Sequence, residues 1–110
     1  MAYIPKQGDI ILIDFNPQAG HEQKGKRPAY VISSYTFNQF TKMAIVCPIT
    51  NTNRDFPLHV SLDERTKTTG VIMCEQAKSL DIMARESSFL EKSPQDILDE
   101  VLDIFVGLIE

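Results

Sequence analysis

Two cysteines and two histidines are the only thiol and imidazole side chains in this 110-residue sequence, and no histidine stands at ligand spacing from either cysteine. A zinc site of the usual kind is thereby excluded, and no cofactor is expected. No apolar run reaches transmembrane length, and the start, Met1-Ala2-Tyr3-Ile4-Pro5-Lys6, lacks the basic-then-apolar layout of a secretory leader. A cytoplasmic protein is expected. Cys47 and Cys74 each lie inside apolar, strand-like stretches, so they read as buried free thiols rather than as a disulfide or a reactive pair. Bases are also scarce, 11 against 15 acids for a net charge of −4. The shortage is local, because residues 94 to 110 hold Asp96, Asp99, Glu100, Asp103 and Glu110 and no base. That leaves 11 bases against 10 acids in residues 1 to 93, net +1. A positive patch can therefore coexist with an acidic total.

What is present describes one domain, residues 1–110. The chain is large enough for a hydrophobic core and too small for separate catalytic and recognition domains. Hydrophobic residues at 43% and charged residues at 24% exclude wholesale disorder. There is no repeat, low-complexity tract or linker.

Residues 9 to 15, Asp-Ile-Ile-Leu-Ile-Asp-Phe, form a β-branched run bounded by Gly8 and Asn16-Pro17, which predicts a strand buried on both faces. A charged loop is expected over 16 to 27, then strands from Pro28 to Ser34 and from Met43 to Ile49, with Pro48 marking an interruption or an edge. Leu58-His59-Val60-Ser61-Leu62 alternates as a half-solvated strand does. Gly70 to Glu75 and Ala77 to Leu80 supply one or two more, and Tyr35 to Phe40 a short helical or irregular connection. Ser93-Pro94-Gln95-Asp96 reads as an N-cap serine, a proline at the first helical position and an early acid. The final helix carries Ile97, Leu98, Val101, Leu102, Phe105, Leu108 and Ile109 at helical spacing, with acids on the other face. The sum is a mainly β (α+β) fold: a small curled antiparallel sheet or partly open barrel with a C-terminal helix as its lid.

Gly20-His21-Glu22-Gln23-Lys24-Gly25-Lys26-Arg27-Pro28 is the richest stretch in chemistry. It combines a carboxylate, an imidazole, an amide, two ammoniums and a guanidinium, a set able to grip a phosphate, hold developing charge and move a proton. Spacing alone also allows a plain reading in which Glu22 and Arg27 form a solvated ion pair worth ~0–1 kcal/mol. Thr50 is equally an ordinary strand-end hydroxyl. Asn51, Thr52, Asn53 and Arg54 are either turn residues or readers of base edges. Glu75-Gln76 interrupts an apolar strand, so Glu75 is either exposed or buried with a partner.

The loop, preceded by Asp14-Phe15-Asn16-Pro17, resembles the first loop of the MazF/PemK (Kid-like) toxins of type II toxin–antitoxin pairs. The resemblance continues through Val46-Cys47-Pro48-Ile49-Thr50, Thr69-Gly70-Val71, Glu75-Gln76-Ala77-Lys78-Ser79-Leu80 and the last helix. It implies an SH3-like barrel of the CcdB/PemK kind in a homodimeric, sequence-specific endoribonuclease, inhibited by a smaller MazE/PemI-like antitoxin that occupies the RNA groove. By that resemblance Arg27 and Thr50 match the catalytic pair, Glu22 the loop acid, and His21 and Glu75 positions used in acid–base work. Met73 departs from the pattern, standing where plasmid-type relatives carry an arginine. That favours Arg27 and Thr50 over Glu75. Gln23, Lys24, Lys26, Asn51, Asn53, Arg54 and Gln76 are the expected RNA contacts. Two rivals keep the barrel without the nuclease: a toxin that binds and poisons a topoisomerase, and a nucleic-acid-binding regulator whose basic loop only grips phosphate.

Overall fold

The computed structural model describes residues 3–15, 25–52 and 56–110. Seven strands and two helices follow in the order β1 (Asp9–Asp14), β2 (Lys26–Val31), α1 (Tyr35–Thr41), β3 (Met43–Thr50), β4 (His59–Ser61), β5 (Val71–Met73), a 3-10 turn (Cys74–Gln76), β6 (Lys78–Asp81), β7 (Ser88–Lys92) and α2 (Gln95–Ile109). They make one antiparallel sheet in the order β4-β5-β3-β2-β1-β7, with β6 added to β3. The mainly β fold with a C-terminal helix is the one expected.

Each strand is two-sided, and the two sides feed different clusters. Ile10, Tyr30, Cys47, Ile49, Val60, Ile72 and Cys74 meet Ile97, Leu98 and Val101 of α2. Their sequence neighbours Ile11, Ile13, Ala29, Val31, Ala44 and Val46 join Leu80 and Ile82 on the other side. Ile10, Ile11 and Ile13 are all fully buried, which is why the β1 sequence shows no alternation. Complete burial of such side chains stabilises by about 1.5–3 kcal/mol each.

Four sequence expectations are corrected. First, β2 begins at Lys26, so Lys26 and Arg27 belong to a strand, registered against Asp14 and Ile13, and not to the loop. The segment instead ends at Val31, because Ser34 caps α1 by accepting from the Phe37 N–H. Second, of the two readings of Pro48 the interruption holds and the edge does not. β3 pairs with β6 through Val46 and with β5 from Ile49, so on that side Pro48 falls in the gap where no ladder donor is needed. Third, Ser93 is not the N-cap of α2; its hydroxyl is engaged by the Tyr30 hydroxyl, and Pro94 stands at the cap without a side-chain bond. Fourth, β7 had not been expected. Its Phe89 and Leu90 are exposed, so it lacks the apolar periodicity of a core strand.

Candidate functional site

Register decides which residues meet. Ala29 lies opposite Pro48, Tyr30 opposite Cys47 and Val31 opposite Val46. The ladder ends there, with Arg27 two residues before Ala29 on β2 and Thr50 two residues after Pro48 on β3. Strand alternation puts Arg27 on the side of Ala29 and Val31, and Thr50 on the side of Ala44 and Val46. The two residues thus share a face, and it is the face turned away from α2. Arg27 is exposed and Thr50 partly so.

Local hydrogen bonds orient the hydroxyl. The Thr50 Oγ1 accepts from the Thr52 N–H at 3.1 Å, which leaves the hydroxyl proton free for another acceptor. The Asn51 Oδ1 accepts from the Thr69 hydroxyl at 2.9 Å. Gly70, at φ +118°, presses against the same turn. A Cβ there would sit 2.4 Å from the Thr50 carbonyl oxygen. Only glycine fits both the backbone angle and the approach.

Cations gather at the end of β1. Lys26 is paired in register with Asp14, and the Arg85 guanidinium donates to the Asp14 carbonyl at 2.8 Å. The Lys78 ammonium lies 5.8 Å from the centre of the Phe15 ring. Of these, Lys78 shares the face of Arg27, turned away from α2, whereas Lys26, adjacent to Arg27 on β2, points to the other.

Two strands away, β5 pairs with β4, so Thr50, Val71 and Ser61 form one row on this face and Met73 and His59 the next. The His59 Nε2 contacts the Glu75 Oε2 at 3.1 Å, with side chains only 6% and 26% exposed. Glu75 therefore has a partner. The Nε2–H donates to the carboxylate, and the buried Nδ1 has no partner among the described residues. Phe56 packs edge-on against the imidazole with ring centres 5.2 Å apart. His59 was not singled out in the sequence, where it is just one polar position in an alternating strand. Asn51 and Gln76 are exposed near these groups. His21, Glu22, Gln23, Lys24, Asn53 and Arg54 lie outside the described residues.

The cysteines are free and buried, as expected. A hydrogen bond to Cys74, together with burial, pushes the Cys47 thiol up, away from a reactive thiolate.

The arrangement can hold a phosphate beside a hydroxyl donor on an open, cationic sheet face. Residues 6–106 match the family described as PemK-like, MazF-like toxin of type II toxin-antitoxin system. The chain is 40% identical over 101 residues to the Endoribonuclease PemK of Escherichia coli, covering 88% of this chain and 76% of that protein. Its fold matches the crystal structure of MazF from Deinococcus radiodurans with a TM-score of 0.86 and 36% identity over 97% of both chains. A MazE-MazF crystal structure from the same organism matches with a TM-score of 0.87 and 33% identity, again over 97% of both chains.

Proposed function

Because this chain belongs to the PemK-like, MazF-like toxin family of type II toxin–antitoxin systems, we propose that it cuts single-stranded RNA by transesterification at Arg27 and Thr50, and so inhibits translation and growth. It is an endoribonuclease toxin, and its partner is a MazE/PemI-like antitoxin. The topoisomerase-poison reading is not favoured, since its curated relatives are endoribonucleases. We place it in the cytoplasm, as a homodimer of a single 110-residue domain.

RNA carries its own nucleophile, so the reaction needs neither an activated water nor a metal. A base takes the 2′-hydroxyl proton, the 2′-oxygen bonds to the adjacent phosphorus, and the bond from phosphorus to the 5′-oxygen breaks. An acid returns a proton to that oxygen. The products are a 2′,3′-cyclic phosphate and a 5′-hydroxyl.

The Arg27 guanidinium holds the charge that builds on the non-bridging oxygens through paired, charge-assisted hydrogen bonds. Thr50 adds its free hydroxyl proton, since its oxygen already accepts from Thr52. Glu22 and His21 are the candidates for the base, and Glu75, steadied by His59, is the candidate acid–base group on the other flank. Lys26, Lys24 and the amides Gln23, Asn51, Asn53 and Gln76 hold and read the strand, with Arg54.

What supports this reading is that Arg27 and Thr50, each two residues beyond the paired stretch of β2 and β3, fall on the face α2 leaves open. Its test is incubation of the purified protein with a long single-stranded RNA in EDTA, followed by mapping of the ends. Cuts ending in cyclic phosphate and 5′-hydroxyl are expected; intact RNA, or ends with 5′-phosphate, would overturn it.

A further inference from the structure

The loop joining β4 to β5 ends in the residues that clamp Thr50 and Asn51, yet it is tied down from the far end of the sheet. Glu91 lies on β7, the last strand in an order that begins with β4. Its Oε1 accepts from the Lys67 N–H at 3.0 Å, and its Oε2 accepts from the Thr68 N–H at 2.7 Å and the Thr68 hydroxyl at 2.8 Å. The sheet is curled so far that its two ends meet through this one carboxylate.

The local backbone shows how Glu91 comes to point there. β7 pairs Glu91 with Ile10 but Phe89 with Ile11, leaving Leu90 as an extra residue. Such a bulge re-aims the neighbouring side chain. Two consecutive amides and a hydroxyl then face one carboxylate, which needs both oxygens to accept them all. The loop is braced internally as well, by the Thr66 hydroxyl on the Thr68 carbonyl at 2.7 Å and by the Leu62 N–H on the Gly70 carbonyl at 3.0 Å.

Beyond Thr68 the chain has no slack. Thr69 donates to Asn51, and Gly70 lies against the Thr50 carbonyl. We propose that Glu91 is a positioning residue for the cleavage site: it fixes the 67–68 turn, so that Thr69 and Gly70 hold Thr50 and Asn51 where the scissile phosphate and its neighbouring base must lie. The inference rests on the ribonuclease reading above, because Thr50 and Asn51 matter only if RNA is cut there. Glu91 touches no substrate and acts through Thr69 and Gly70.

The test compares full-length wild type, Glu91→Gln, Thr69→Val and the double variant on a long single-stranded RNA at varied concentration, with thermal melts of each. A glutamine cannot accept at both positions, so the 67–68 turn loses part of its tie to β7, while Arg65 still holds Asp96 of α2 at 2.9 Å. Glu91→Gln and Thr69→Val should each lower kcat by about ten-fold with KM little changed, the scale of a sub-ångström misplacement of reacting groups. The double variant should be no slower than the slower single one, as expected for two residues acting in series. Thr68→Val, which removes only the hydroxyl, serves as a milder variant if Glu91→Gln does not fold. A Glu91→Gln protein that melts earlier but keeps its kcat, or kcat losses that multiply in the double variant, would overturn the inference alone. Failure of the wild type to cut would overturn the ribonuclease reading and this inference with it.

Discussion

A Cβ at position 70 would lie 2.4 Å from the carbonyl oxygen of Thr50 and 2.8 Å from its carbonyl carbon, so Gly70 and Thr50 are packed backbone to backbone. Gly70→Ala must move one strand or the other and also strain a φ of +118°. We expect a loss of at least ~1–3 kcal/mol, read as a lower urea midpoint at unchanged slope. Cleavage by the protein that remains folded should fall as well, because the displaced atoms belong to Thr50.

Arg27 offers the opposite case, a side chain whose removal should cost activity but not fold. Its side chain is exposed on β2 and makes no hydrogen bond with another described side chain, so Arg27→Ala should change stability by no more than about 0.5 kcal/mol. Loss of charge stabilisation in the transition state should lower kcat by on the order of 10²–10³-fold. Measuring RNA binding alongside turnover separates the readings: a regulator would lose affinity and salt slope instead, and a topoisomerase poison would be nearly indifferent.

His59 and Glu75 should be coupled. The imidazole reaches the carboxylate at 3.1 Å. His59→Phe keeps a ring against Phe56 and leaves the carboxylate to water, so stability should change by no more than about 1 kcal/mol. If Glu75 works in proton transfer, Glu75→Gln should lower kcat, and His59→Phe, which removes its tether, should lower it to a smaller extent. An unchanged kcat in both variants would remove the pair from the chemistry.

Stability should fall at both ends of the pH scale. Burial raises the Glu91 carboxyl, but the hydrogen bonds from Thr68 and Lys67 outweigh it and hold it below its ordinary 4.5. Hydrogen bonds from Arg65 likewise lower Asp63 and Asp96 below 3.8. A depressed native value means these carboxylates stabilise fully above their ordinary range and lose that contribution as pH falls through the native values. Tyr30 behaves in reverse. Burial pushes its hydroxyl from 10.0 up to about 12, against the opposing bond to Ser93. Its contribution is complete below pH 10 and is lost as pH rises toward 12. Chemical denaturation midpoints across pH would check both limbs, with Glu91→Gln flattening the acid one.

Much of the fold was legible wherever burial imposes a pattern. Ile10, Ile11 and Ile13 announce a strand covered on both sides, and Ile97, Leu98 and Val101 a helix covered on one. The misreadings came where a residue answers to something distant in sequence. Ser93 looks like a cap until Tyr30 engages it, and β7 is a strand only because β1 supplies its ladder. For the site, residue types left Arg27 and Thr50 open and the resemblance singled them out; their common face follows from strand alternation, which the sequence alone does not register across strands. His59 and Glu91 gave no local signal, because the role of each depends on a partner 16 or more residues away.

The acids of α2, Asp96, Asp99, Glu100 and Asp103, stand behind the sheet, while Arg27 and Lys78 stand at its front. Among the described residues, the α2 side therefore carries the acids and the opposite face these two cations. A polyanion approaching from the rear is repelled, and one approaching the front is drawn in, so collisions are sorted by orientation before any contact forms. Added salt should blunt that sorting and slow association.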